Sequence, residues 1–343
     1  MVDKPVGMAV LGYGHFIRTN FIKHLRQCSS IRIVAVHNRG EERRRAAEAD
    51  GFYATSDLDE VLRMPEVEAV LIGTANAAHK EQAIRAARAG KHLLCEKPLA
   101  LNLADVDEMV AEAERAGVIT HVNHPSPYGD DFILFRELCQ KNAGRVLHHW
   151  HRVSRAFGLW CQKSYHEAVA HPENSGGWTF HHMSHALNDA CLIAGTNRAV
   201  KVYHLSQKSC AEAPGEELVN CLITFDNGIT ASLSDTTAIG PFQDMGVQGT
   251  EGDLRMLDGV ITVVKPGDIE PTGRPGQRKY LIQTYPVKPS GKNLESTGHR
   301  FAEAVRGGRN QLLSFRFIRD QYCILDALRK SALTGQAVDV KYD

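Results

Sequence analysis

Lys97 stands in Cys95-Glu96-Lys97-Pro98, directly after the apolar run His92-Leu93-Leu94-Cys95. Another apolar run ends in Val10-Leu11-Gly12-Tyr13-Gly14 and opens a helix, a form that lets backbone approach a pyrophosphate. In an open parallel sheet both segments project from the carboxyl ends of strands, the edge at which such sheets bind ligands. An ammonium placed there beside a dinucleotide suits proton transfer coupled to hydride transfer. Oxidation of an alcohol needs a group that takes the hydroxyl proton, and an imidazole titrates in the right range. A lysine assists when burial and a positive nicotinamide ring lower its pKa.

Around the glycines, His15 and Phe16 open the helix that offers its first amides to an anion. The third small residue of the common fingerprint is absent, with Ile17 in its place. The second apolar run ends Ala35-Val36-His37-Asn38-Arg39, where an NAD site usually carries Asp or Glu for the ribose hydroxyls. Asn38 does not repel a phosphate, and Arg39 and Arg43 are able to pair with one. This favours NADP over NAD. The competing reading makes Arg43-Arg44-Arg45 a solvated helix face partnered by Glu41, Glu42 and Glu48.

These segments need a scaffold, and the first 120 residues supply one by alternating apolar runs with helical patterns. Strands are expected at 6–11, 31–36, 68–73, 91–95 and 118–122, and helices at 16–27, 41–49, 79–89 and 103–116. Gly90 and Gly117 are natural helix stops. Such alternation implies right-handed crossovers and a doubly wound parallel sheet. The pattern then changes. Strands are expected at 145–155, 199–208, 217–237 and 244–264, with a turn at Asp226-Asn227-Gly228, and helices at 128–141, 178–194, 298–306 and 313–333. This predicts an α+β domain with a mostly antiparallel sheet, the boundary falling between residues 1–122 and 123–343. The Pro- and Gly-rich stretch 265–280 reads as a surface loop or arm.

Composition sets limits. A chain of 343 residues exceeds one ordinary core. A formal net charge of +0 argues against nucleic acid or an anionic membrane as the main partner. The 8 cysteines are scattered with no C-x-x-C pair, which suits reduced core thiols in the cytoplasm. The first strand begins by Val6, too early for a secretory leader, and no apolar run is long enough to span a bilayer. Of the 17 histidines, ten fall between His121 and His185.

Taken in order, Thr74-Ala75-Asn76-Ala77-Ala78-His79, Ala89-Gly90-Lys91-His92, Cys95-Glu96-Lys97-Pro98-Leu99-Ala100, Ser175-Gly176-Gly177-Trp178, His185-Ala186-Leu187-Asn188, Gly249-Thr250-Glu251-Gly252, Ser314-Phe315 and Ser331-Ala332-Leu333-Thr334-Gly335 resemble the glucose–fructose oxidoreductase and inositol dehydrogenase (Gfo/Idh/MocA) family. The resemblance runs through nearly the whole chain. It implies a Rossmann domain followed by an open-faced α+β domain, and hydride transfer at a carbinol or ketone of a sugar or cyclitol. It implies that Lys97 contacts nicotinamide and substrate, that His185 is the catalytic histidine, and that Thr74, Asn76, His79 and Glu96 belong to the cofactor site. Where the family usually has Asp four residues before that histidine, this chain has His181. Met183 replaces a Gly, Asn188 replaces a frequent Asp, and the Arg usual after the Asn of the strand-five segment is absent from Asn123-His124-Pro125-Ser126-Pro127-Tyr128. These departures cluster in the substrate pocket, where Trp178, Asn123, Tyr128, Trp160 and Tyr165 are further candidates.

Four-residue spacing puts His181 and His185 on one helix face, a pair able to bind a transition metal with a third ligand from His166, His171, His182 or a sheet histidine. The favoured expectation is no metal, with His181 a substrate contact or proton relay. His182 falls on another side of an α-helix, where packing is its expected role, though it stays a candidate for substrate contact. The leading function is an NAD(P)-dependent dehydrogenase or reductase of a sugar, cyclitol or sugar derivative. One alternative is a glycoside-cleaving enzyme that works by transient oxidation, elimination and re-reduction. A cofactor-binding regulator that has lost its chemistry is another. An open sheet with one face uncovered predicts a homodimer or homotetramer packed through that face.

Overall fold

The computed structural model describes residues 4–124, 126–238, 240–267, 280–288, 294–309 and 313–342. The expected loop at 265–280 lies, from 268 to 279, outside the described residues. The chain divides into two compact units, Met1–Pro125 with Lys292–Tyr322, and Ser126–Gly291 with Cys323–Asp343.

In the first unit the chain runs β1 (Val6–Leu11), a π-helical stretch (Ile17–Ile22) continued by α1 (Lys23–Leu25), β2 (Ile31–His37), α2 (Glu41–Ala49), β3 (Tyr53–Thr55), α3 (Leu58–Arg63), β4 (Ala69–Ile72), α4 (His79–Arg88), β5 (His92–Glu96), α5 (Leu103–Ala116) and β6 (Thr120–Asn123). The strands form one parallel sheet in the order β3-β2-β1-β4-β5-β6. Both β1 and β4 are buried along their whole length, as expected of strands covered on two faces. Local signals start and stop the helices. The Asn102 side chain accepts from the Asp105 N–H at the start of α5, and Gly117 at φ 65° ends it. The sequence reading missed β3 and α3. One is three residues long at the sheet edge, and the other is a six-residue helix. Residues 292–322 return to this unit rather than following the preceding sheet. The helix Leu294–Gly307 contributes Leu294, Phe301, Ala302 and Ala304 to the same core as Leu25, Cys28 and Ile31.

The second unit contains α6 (Asp130–Asn142), β7 (Val146–Ser154), α7 (Glu167–Ala170), α8 (Pro172–Ser175) and α9 (Ser184–Ala194), the last preceded by a π-helical stretch at Thr179–Met183. Then follow β8 (Ala199–Gln207), β9 (Leu218–Phe225), β10 (Thr230–Thr236), β11 (Phe242–Gly249), β12 (Asp253–Leu257), β13 (Val260–Pro266), β14 (Tyr280–Pro286) and β15 (Val338–Asp339). The nine-stranded sheet has the order β14-β13-β12-β11-β7-β10-β9-β8-β15. Among the described strands of this sheet only the β7–β10 pair is parallel. The expected turn at Asp226-Asn227-Gly228 makes 217–237 a hairpin, with Gly228 at φ 83°, whereas the expected strand 244–264 is three strands. Alternation marks the sheet's two faces: β10 reads half-buried and buried in strict turn. Its inward residues Ala231, Leu233 and Asp235 are buried. On the other face Tyr203, Leu222, Ser232, Trp150, Gly246 and Arg255 align in one cross-strand row, and Leu222 is 56% exposed. No helix among the described residues is long and apolar enough to cross a membrane.

Candidate active site

At the carboxyl end of β1 the backbone of Gly12 takes φ 93°, and a Cβ there would lie 2.7 Å from Gly73 O. A side chain is excluded twice, by conformation and by the crossing backbone. The Gly12 N–H donates to His37 O at 2.9 Å, which pins the turn against β2. The first i→i−4 bond of the following helix runs from Arg18 N–H to Gly14 O, 3.0 Å, so the first-turn residues His15 and Phe16 lie on the glycine side and are exposed. Ile17, at the position of the missing small residue, is buried, and Gly73 concedes its space: a Cβ on Gly73 would lie 2.3 Å from Ile17 Cδ1. This cradle fits a dinucleotide pyrophosphate.

The three arginines of α2 diverge. Arg45 makes a solvated pair with Glu41 at 2.6 Å. Arg44 Nη1 donates to Asn38 O (2.9 Å) and Arg39 O (2.7 Å), tying down the β2–α2 turn. Arg43 reaches over the glycine turn, its Nη1 4.0 Å from the place a Cβ on Gly14 would take. Asn38 is buried and accepts the Gly40 N–H through Oδ1 at 2.9 Å, while Arg39 is exposed.

After β4, the Thr74 hydroxyl donates to Gln82 Oε1 at 2.7 Å, and Asn76 opens a 3₁₀ turn over Asn76–Ala78. His79 was expected to touch cofactor. It is fully buried, with its ring between Pro98 O (3.0 Å) and Thr74 O (3.2 Å). Burial pushes its pKa down, so one ring nitrogen carries the proton. Its place is a clamp that fixes the 74–79 turn against the loop after β5.

That loop begins with Lys97. Glu96 and Asn123 are register partners on β5 and β6, and Asn123 Nδ2 donates to Glu96 Oε1 at 2.6 Å. One residue further on each strand stand Lys97, half-buried, and His124, buried. Burial first, then the Lys97 charge, pushes the His124 pKa down to about 3. Lys97 therefore stands near an imidazole that is neutral at working pH. The sequence reading passed over His124, whose signal is its place after the residue paired with Glu96.

In the second unit, His185 begins α9 one residue after Ser184 and is half-buried, as is His181. One turn beyond His185 lies Asp189, another residue the reading missed. Its carboxyl is fully buried, accepts the Ser126 hydroxyl at 2.9 Å, and lies 3.7 Å from His151 Nδ1. Burial raises its pKa to about 7. Trp178, expected as a platform for a sugar ring, is 0% exposed and donates its indole N–H to Asp235 Oδ1 at 3.0 Å. It is core. Trp160 and Tyr165 stack on each other with centroids 4.2 Å apart, and Tyr128 is half-buried.

The expected helix over 178–194 begins as a π-helix, so α-helical spacing does not decide which side chains meet. His182, expected to point elsewhere, has its ring 4.6 Å from that of His181. With His166, these two place one ligand nitrogen each within 4.8 Å of one another, and His185 is not part of that group. His171 is exposed, with Nδ1 3.3 Å from Glu173.

Residues 6–124 match the model of the oxidoreductase family with an NAD-binding Rossmann fold. The chain is 30% identical over 225 residues to the 1,5-anhydro-D-fructose reductase of Ensifer adhaerens, covering 61% of this chain and 65% of that protein. It is 30% identical over 257 residues to the 2,7-anhydro-N-acetylneuraminate hydratase of Mediterraneibacter gnavus, covering 74% and 67%. The fold matches a levoglucosan dehydrogenase in complex with NADH and L-sorbose at a TM-score of 0.83, with 20% identity over 99% of this chain and 100% of that one.

Proposed function

The chain belongs to the glucose–fructose oxidoreductase and inositol dehydrogenase (Gfo/Idh/MocA) family, and on that premise we propose that it moves a hydride between NAD(P) and a CH–OH carbon of a sugar, cyclitol or sugar derivative. One observation carries this reading: a side-chain-free turn at Gly12 and the half-buried Lys97 share the carboxyl edge of one parallel sheet. The nicotinamide, when bound, accepts or returns the hydride. Gly12, Gly14 and the first-turn residues His15 and Phe16 receive the pyrophosphate. Thr74, Asn76 and Glu96 shape the nicotinamide side, with His79 holding that loop in place. In the oxidation direction the C–H electron pair leaves with the hydride and the hydroxyl proton goes to His185. Lys97 serves as a hydrogen-bond donor to the substrate. Asn38, Arg39 and Arg43 support a preference for NADP, because two exposed guanidiniums flank a position without a carboxylate.

The exposed face of the nine-stranded sheet supports a homodimer or homotetramer built through it. Cys28, Cys95, Cys139 and Cys221 are buried, and burial raises the thiol pKa of each, consistent with inert thiols in the cytoplasm.

The test is an assay of the purified chain with NAD+ and NADP+ against a panel of sugars and polyols, read as reduced cofactor at 340 nm. Substrate-dependent reduction is the expected result. A second reading, cleavage of a glycoside by oxidation, elimination and re-reduction, draws support from the hydratase relative. It predicts product without net cofactor change.

A further inference from the structure

We infer that His166, His181 and His182 form a carboxylate-binding site, and that the substrate is an acidic sugar such as a uronate. This rests on the oxidoreductase reading above and names its substrate class. The three rings converge from two segments, with centroids 5.1 Å (His166–His181), 4.9 Å (His166–His182) and 4.6 Å (His181–His182) apart. The back of the cluster is aromatic. Trp178 lies 4.1 Å from the His182 ring, and Phe157 lies 4.7 Å from the His166 ring. His182 is buried, whereas His166 and His181 are half-buried and Phe157 is exposed, so the cluster runs from the interior to the surface. A charge–dipole contact on the buried side of such a cluster is screened less than one in open solvent.

A trio of histidines also suggests a metal, and the tautomer of His166 decides against it. His166 caps α7, its Nδ1 accepting the Ala168 N–H at 3.0 Å. The neutral ring therefore carries its proton on Nε2. A cation at Nε2 would need that proton removed, and a cation at Nδ1 would need the amide displaced, whereas a metal requires a ring-nitrogen lone pair. His166 instead presents an N–H donor. Two N–H donors about 2.8 Å from one oxygen are at most about 5.6 Å apart, and each of the three rings has a nitrogen within 4.8 Å of the others. The cluster's aromatic neighbours are Phe157 and Trp178. A phosphate dianion would be met better by the guanidinium forks it usually recruits.

The experiment compares matched pairs on the full chain with NADP+ and NAD+: glucose against glucuronate, galactose against galacturonate, and glucose 6-phosphate as the dianion. We expect kcat/KM at least tenfold higher for a uronate than for its neutral partner. His166→Asn keeps a cap-competent residue at the start of α7 and is expected to shrink that ratio about tenfold, mainly through KM. Equal or better use of the neutral sugar, preference for the 6-phosphate, or a stoichiometric transition metal in untagged wild-type protein that His166→Asn loses would each overturn the inference. Should no sugar be oxidised, calorimetric titration of the NADP-loaded wild type with glucuronate and glucose still decides it. Selective glucuronate binding upholds the carboxylate site while the hydride-transfer reading falls, and equal or no binding ends it.

Discussion

Ile17 Cδ1 lies 2.3 Å from the point a Cβ on Gly73 would occupy. The helix after the glycine turn packs on the end of β4 through this pair. The chain places bulk where the fingerprint usually has a small residue and removes it from the opposing strand end. Gly73→Ala is expected to overpack this contact, costing about 1–3 kcal/mol and weakening dinucleotide binding. Ile17→Ala removes the obstructing methyl, so the double variant should be more stable than the sum of the single losses. Urea midpoints of all four proteins measure the coupling, and strict additivity would mean that the two side chains do not share this space.

For the chemistry, Lys97→Ala and His185→Ala should each lower turnover by roughly 10²–10⁴ with far-UV circular dichroism and cofactor binding retained. Near-normal turnover in either variant removes that residue from the mechanism.

Arg43 lies over the glycine turn while Arg44 and Arg45 are engaged elsewhere. Losing one charge-assisted hydrogen bond costs about 1.5–3 kcal/mol. Arg43→Ala should therefore lower the NADP-to-NAD affinity ratio by about tenfold or more, read by fluorescence titration with both reduced cofactors. An unchanged ratio would return Arg43 to the solvated helix face.

Buried histidines set the pH dependence of stability. Burial depresses His121 and His149 to about 4, and His124 and His151 to about 3, from 6.5. Each stays neutral in the fold while the unfolded chain takes a proton below 6.5. Their contribution is therefore present above pH 6.5 and lost as pH falls toward the folded values, by about 1.4 kcal/mol per pH unit per histidine. Asp189 acts oppositely: raised from 3.8 to about 7, it favours the fold increasingly as pH falls from 7. The urea midpoint should drop between pH 7.5 and 5, and more steeply in Asp189→Asn. A flat profile would show that these rings titrate normally.

On the open sheet face, Leu222 pairs across strands with Tyr203 and Ser232. Leu222→Lys puts a charge into the proposed interface and should shift the wild-type oligomer toward monomer in light scattering at micromolar concentration. A monomeric wild type would dispose of that interface.

The parallel α/β half was legible because its signals are local. Apolar runs of strand length, glycine stops and the Gly12-Tyr13-Gly14 turn each act within a few residues of where they are written. The carboxyl-edge placement of Lys97 follows from the same alternation. Tyr53–Thr55 and Leu58–Arg63 escaped notice because three- and six-residue elements carry too little periodicity. The turn at Asp226-Asn227-Gly228 was legible, whereas the 244–264 run hid its turns, one of them at Gly259, inside continuous strand-like composition.

Contacts were another matter. Helical spacing pointed to His181 with His185. A π-helical stretch and a ring arriving from His166 instead assembled His166, His181 and His182. The burial of Trp178 against Asp235 and of His79 between Thr74 and Pro98 likewise depends on segments many residues away. The amino-acid order dictated which residue types were available and which elements carried them. Which imidazoles and indoles met, and which were sealed from solvent, was decided by tertiary packing, because side-chain encounters depend on the whole path of the backbone.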